Sequence, residues 1–65
     1  MITVNGESVQ NADGMSVAEF LESHGYPKMM LAVEVDGRIV PRAAWGETVL
    51  KEGAVVEVVR FVGGG

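Results

Sequence analysis

An α+β domain is predicted by three observations. Two strand–turn–strand signals flank one helical segment, a long β-branched run closes the chain, and strands and helices do not alternate regularly. With 65 residues the chain is restricted to one domain, since so short a chain buries only about 60% of its unfolded surface. There is no cysteine and a single histidine, His24. Neither a disulfide framework nor a closed metal site is therefore available, and packing must hold the fold.

Residues 1–11 read as a hairpin. Ile2 and Val4 alternate with Thr3 and Asn5, and Asn5-Gly6 supplies the two positive-φ residues of a type I′ turn. Val9 is the inward residue of the returning strand, and Asp13-Gly14 breaks the pattern. Ser16-Val17-Ala18-Glu19 matches a capping box and starts a helix, with Met15 and Phe20 placed as a hydrophobic staple and Val17, Phe20 and Leu21 as the apolar stripe. Gly25 suits a left-handed cap, Tyr26 can fold back on Leu21, and Pro27 forbids continuation.

Leu31 to Val40 form a second hairpin, with Leu31, Val33 and Val35 on one face and Asp36-Gly37 at the turn. Pro41 ends it and opens a single helical turn that carries Trp45 to one end of the core. Thr48-Val49-Leu50 pair briefly before the Lys51-Glu52-Gly53 turn. Ala54 to Val62 are then the longest strand. The arrangement fits a β-grasp domain over residues 1–62, in which a mixed sheet of four to five strands curls over one helix, followed by a flexible glycine tail at 63–65.

Composition excludes several kinds of function. Nine acidic residues against five basic ones give a formal charge of -4, the wrong sign for neutralising phosphates, so nucleic acid is not an expected partner. Residues 1–6 lack the basic and apolar regions of a signal peptide, and no apolar run approaches the ~20 residues that span a bilayer. A cytoplasmic protein without a membrane partner is expected. His24 lies in the last helical turn, where interaction with the helix dipole or solvation accounts for it better than catalysis does. The carboxylates are scattered, as on a solvated surface, and the glycines before position 63 sit at turns and caps and build no phosphate loop.

The last three positions are Gly63, Gly64 and Gly65. One reading is a frayed end. The other is a slim tail that threads into a partner's active site and, with Gly65 as the chain end, presents an unhindered carboxylate. Three extended residues reach about 10 Å. Such a carboxylate is inert until a partner activates it; ATP-dependent adenylation followed by sulfide transfer would leave a nucleophilic thiocarboxylate. The strand before the tail is apolar on both faces: Val56 and Val58 share one, while Glu57, Val59 and Phe61 share the other. Either a bulge resets the register, or Val59, Phe61 and Val62 are exposed as a docking surface, with Arg60 a rim contact or a plain surface cation.

Several segments together carry a family resemblance: Ile2-Thr3-Val4-Asn5-Gly6-Glu7, Val17-Ala18-Glu19-Phe20-Leu21, the stretch from Val33 to Arg42 containing Ile39-Val40-Pro41-Arg42, then Trp45, and Val58 to Gly65. Along its whole length the chain resembles the sulfur carrier proteins of thiazole (thiamin) biosynthesis, a ubiquitin-like β-grasp family. The resemblance implies that Gly65 is adenylated by a ubiquitin-activating-like adenylyltransferase using ATP and Mg. A sulfur donor protein then supplies the sulfur of a thiocarboxylate, which is passed to thiazole synthase. Gly64 and Gly65 match the family's diglycine, and Gly63 is an additional glycine. No bound cofactor and no catalytic residue are implied, because the carrier is a cosubstrate. Alternatives are the small subunit of molybdopterin synthase, carriers of other sulfur pathways, a ubiquitin-like modifier that ends in isopeptide bonds, and an interaction module whose tail is incidental.

Overall fold

The computed structural model describes residues 1–27 and 29–61. In chain order the elements are β1 (Ile2–Val4), β2 (Glu7–Val9), α1 (Val17–Ser23), β3 (Leu31–Val35), β4 (Arg38–Ile39), a 3₁₀ turn (Arg42–Ala44) and β5 (Val55–Arg60). The five strands form one mixed sheet in the order β2-β1-β5-β3-β4. β1 and β5 are parallel, and the other neighbours are antiparallel. This is the expected β-grasp architecture, with the last strand in the middle of the sheet. None of the described helices is long and apolar enough to cross a membrane.

Local chemistry explains the elements. At the two hairpins Asn5 and Gly6 take φ of 50° and 84°, and Asp36 and Gly37 take 52° and 84°, the paired positive values of a type I′ turn. The helix begins with both halves of the capping box: Glu19 N–H donates to Ser16 Oγ at 3.1 Å, and Ser16 N–H donates to Glu19 Oε1 at 2.9 Å. It ends in a Schellman motif. Tyr26 N–H reaches the Leu21 carbonyl at 2.9 Å and Gly25 N–H the Glu22 carbonyl at 3.2 Å, with Gly25 at φ 76°.

Val17, Phe20 and Leu21 of the helix pack with Ile2, Val4, Val33, Val56 and Val58 of the sheet, and Trp45 and Leu50 complete the core. Trp45 closes it while its indole N–H donates to the Val40 carbonyl at 3.0 Å, so the polar end of a buried ring is satisfied. Ala12, wholly buried, is a core residue that the sequence pattern did not single out.

Two expectations are adjusted and one is met. Pro41 caps the 3₁₀ turn and is not its first residue. The expected brief pairing of 48–50 is an isolated bridge, Ser16↔Val49, reinforced by backbone bonds from Val17 to Thr48 and from Leu50 to Met15. β5 stops at Arg60, short of the predicted Val62, which lies outside the described residues.

Candidate functional site

Because α1 covers only one face of the sheet, the other face is left to the solvent, and β5 runs through the middle of it. The register from Val35↔Val56 to Leu31↔Arg60 is unbroken, so no bulge resets the strand. Val56 and Val58 therefore point into the core, whereas Val55, Glu57 and Val59 point outward. This decides between the two readings of the apolar last strand: Val59 is 51% exposed and Phe61 53%.

Cross-strand pairing extends the outward face. Ala32 lies opposite Val59, Glu34 opposite both Glu57 and Ile39, and Thr3 opposite Val55. Ile39 is 70% exposed and Val55 47%. The face is thus an apolar field crossed by two adjacent carboxylates, Glu34 and Glu57, and neither carboxylate has a salt bridge among the described residues. Like charges placed directly opposite cost stability in a sheet. Apolar area kept exposed around them is the composition of a docking surface.

The predicted docking group divides. Val59 belongs to the outward face, and Phe61 continues its alternation. Arg60 alternates to the opposite face, opposite Leu31, where the strand has passed the end of the core. Val62, Gly63, Gly64 and Gly65 lie outside the described residues. Ile39 and Val55 are members of the face that sequence reasoning missed, since only the register of non-local strands brings them beside Val59.

The end of β5 is held from two sides. On the β3 side Phe61 N–H donates to the Met30 carbonyl at 2.8 Å, with Met30 itself at φ 63°. On the β1 side the backbone N–H groups of Thr3 and Asn5 donate to the carbonyls of Ala54 and Val56, both at 2.9 Å. The Asn5 side chain then adds a pair of its own: Val58 N–H donates to Oδ1 at 2.8 Å, and Nδ2 donates to the Val58 carbonyl at 3.2 Å. Sequence reasoning had assigned Asn5 to the turn alone.

His24 is exposed at the helix C-cap, its ring 4.4 Å from that of Phe20 and its Nδ1 3.2 Å from Ser23 Oγ. Among the described residues no cluster of three metal-ligating side chains occurs. On the helix side, Arg42 lies 5.4 Å from the Trp45 ring, over a shallow apolar depression lined by Ala18 and Leu21.

The model of the ThiS family matches residues 1–65. The chain belongs to the ThiS family. Sequence relatives of this family member include the sulfur carrier protein ThiS of Escherichia coli strain K12, 28% identical over 98% of this chain and 97% of the relative. Two thiazole synthases also match along 98% of the chain, one from Magnetococcus marinus at 36% identity and one from Paramagnetospirillum magneticum at 31%. The chain spans only 20% of the length of either synthase. Among solved structures, the crystal structure of a thiamine biosynthesis protein (ThiS) from Geobacter metallireducens superposes with a TM-score of 0.80 at 34% identity, covering 98% of this chain and 97% of that one. The solution structure of a Geobacter metallireducens thiamine biosynthesis protein gives 0.78, also at 34% identity, with 98% and 86% covered.

Proposed function

We propose that this ThiS-family chain is a sulfur carrier of thiamin biosynthesis that works through the carboxylate of Gly65. The observation that carries the reading is the family match over residues 1–65 on a β-grasp domain whose central strand, β5, is the last element before the three glycines in the chain. An oxygen of the Gly65 carboxylate attacks the α-phosphate of ATP on a ubiquitin-activating-like adenylyltransferase, which uses Mg, and pyrophosphate leaves. Sulfide delivered by a sulfur donor protein attacks the acyl carbon, the bond to AMP breaks and AMP leaves, and the thiocarboxylate that results carries the sulfur to thiazole synthase. Transfer of the sulfur and hydrolysis return the carboxylate, so the chain is consumed and regenerated as a cosubstrate and is not an enzyme.

The domain contributes presentation. The four residues from Val62 to Gly65 would span about 14 Å if extended, enough to place an acyl group deep in a cleft while the sheet docks at its mouth. The outward face with Val59 and Phe61 is suited to that docking. The two thiazole synthases that contain a segment similar to nearly the whole chain support thiazole synthase as the acceptor.

Intact-mass spectrometry after incubation with the adenylyltransferase, ATP, Mg and a sulfur source tests the reading. An adenylate adduct followed by an oxygen-to-sulfur change localised to Gly65 is expected. A chain left unchanged by an adenylyltransferase that thiocarboxylates another ThiS protein would refute it.

A further inference from the structure

We infer that Asn5 is a positioning residue of the carrier, whose side-chain amide clamps β5 at Val58 and so fixes the point from which the glycine tail is presented. This role rests on the carrier reading. The parallel ladder between β1 and β5 has to stop at Asn5, because the chain enters the type I′ turn there and β2 runs back on the far side of β1. The last main-chain bond across the ladder is the one from Asn5 N–H to the Val56 carbonyl. The bonds from Asp36 N–H to the Val55 carbonyl and from Phe61 N–H to the Met30 carbonyl make Val33↔Val58 a non-hydrogen-bonded pair of the β3–β5 ladder. The backbone N–H and carbonyl of Val58 therefore face β1 and would otherwise have no strand partner.

A carboxamide carries the same donor and acceptor as a peptide group. Asn5 uses both on one residue, accepting from Val58 N–H at 2.8 Å and donating to its carbonyl at 3.2 Å. The amide thereby stands in for one missing rung of the parallel ladder. It moves the last residue of β5 tied to β1 from Val56 to Val58, two residues nearer the tail.

The consequence is geometric. A tail that must enter a narrow site delivers its acyl carbon more often when its origin is fixed, because the volume over which the end ranges sets its effective concentration there. Beyond Val58 the strand is tied to β3, finally by the bond from Phe61 N–H to the Met30 carbonyl. Loss of the clamp frees one side of the strand from residue 57 onward and leaves the docking residues Val59 and Phe61 in place. The chemical step should therefore suffer more than encounter with the partner.

Asn5→Gly separates this role from the turn, since glycine accepts the φ of 50° found at Asn5 and removes only the amide. Asn5→Asp keeps the acceptor for Val58 N–H but loses the donor to its carbonyl. Two readouts apply to the full chain: amide hydrogen exchange at Val58, and carrier-dependent ATP–pyrophosphate exchange by the adenylyltransferase. With Asn5→Gly, exchange at Val58 should accelerate roughly tenfold and kcat should fall roughly tenfold with KM for the carrier nearly unchanged. Asn5→Asp should lie between Asn5→Gly and wild type. Folded Asn5→Gly with wild-type kcat, or with its loss entirely in KM, would overturn the role, as would Val58 exchange unchanged in both variants. A wild-type chain that supports no ATP–pyrophosphate exchange would instead sink the carrier reading, and the role of Asn5 in presentation with it.

Discussion

Leu50 is wholly buried although it belongs to no strand, held by its N–H bond to the Met15 carbonyl and by the packed ends of helix and sheet. With no disulfide to share the burden, truncating it should cost heavily. Leu50→Ala is expected to lower stability by about 2–5 kcal/mol, read as a lower urea midpoint at unchanged slope. Phe61 is the opposite case, since its ring is half exposed at the end of the central strand. Phe61→Ser should leave stability within about 0.5 kcal/mol of wild type and weaken binding to the adenylyltransferase, measured by calorimetry; a stability loss with unaltered binding would remove Phe61 from the docking face. Both residues are apolar letters in the sequence. What separates them is the position each occupies once distant strands have paired.

The helix shows how far local signals reach. Its start and stop were legible because capping chemistry is local: Ser16 and Glu19 are three residues apart, and the Schellman bonds close within six residues of Leu21. Gly25→Ala tests the stop. A Cβ there meets nothing within 4 Å, so the cost is purely that of holding a non-glycine residue at φ 76°. About 1–2 kcal/mol of destabilisation is expected, seen in thermal unfolding, without loss of adenylation at a temperature where the variant is folded. The hairpins were equally legible from Asn5-Gly6 and Asp36-Gly37. The limits of β5 were not, because a strand ends where its partners end, and β3 begins pairing at Leu31 opposite Arg60.

For the molecule as a whole, stability and chemistry are assigned to separate parts of the chain. The core is made within residues 2–58, while the proposed reaction takes place at Gly65. Removing Gly64 and Gly65 should accordingly leave the unfolding midpoint unchanged and abolish thiocarboxylate formation, with unfolding followed by circular dichroism and the product by intact mass. A truncated chain that still supports thiazole formation would contradict the carrier mechanism.

Turn residues, caps and the alternation of β-branched positions lie within a few residues of one another, so the sequence by itself determined the α+β class, the helix and both hairpins. Which strands are neighbours is a long-range matter, set by how the sheet closes over α1. Only the tertiary structure therefore decided that Ile39, Val55 and Val59 share one outward face, that Arg60 leaves it, and that Asn5, apart from making its turn, reaches Val58 across 53 residues of chain.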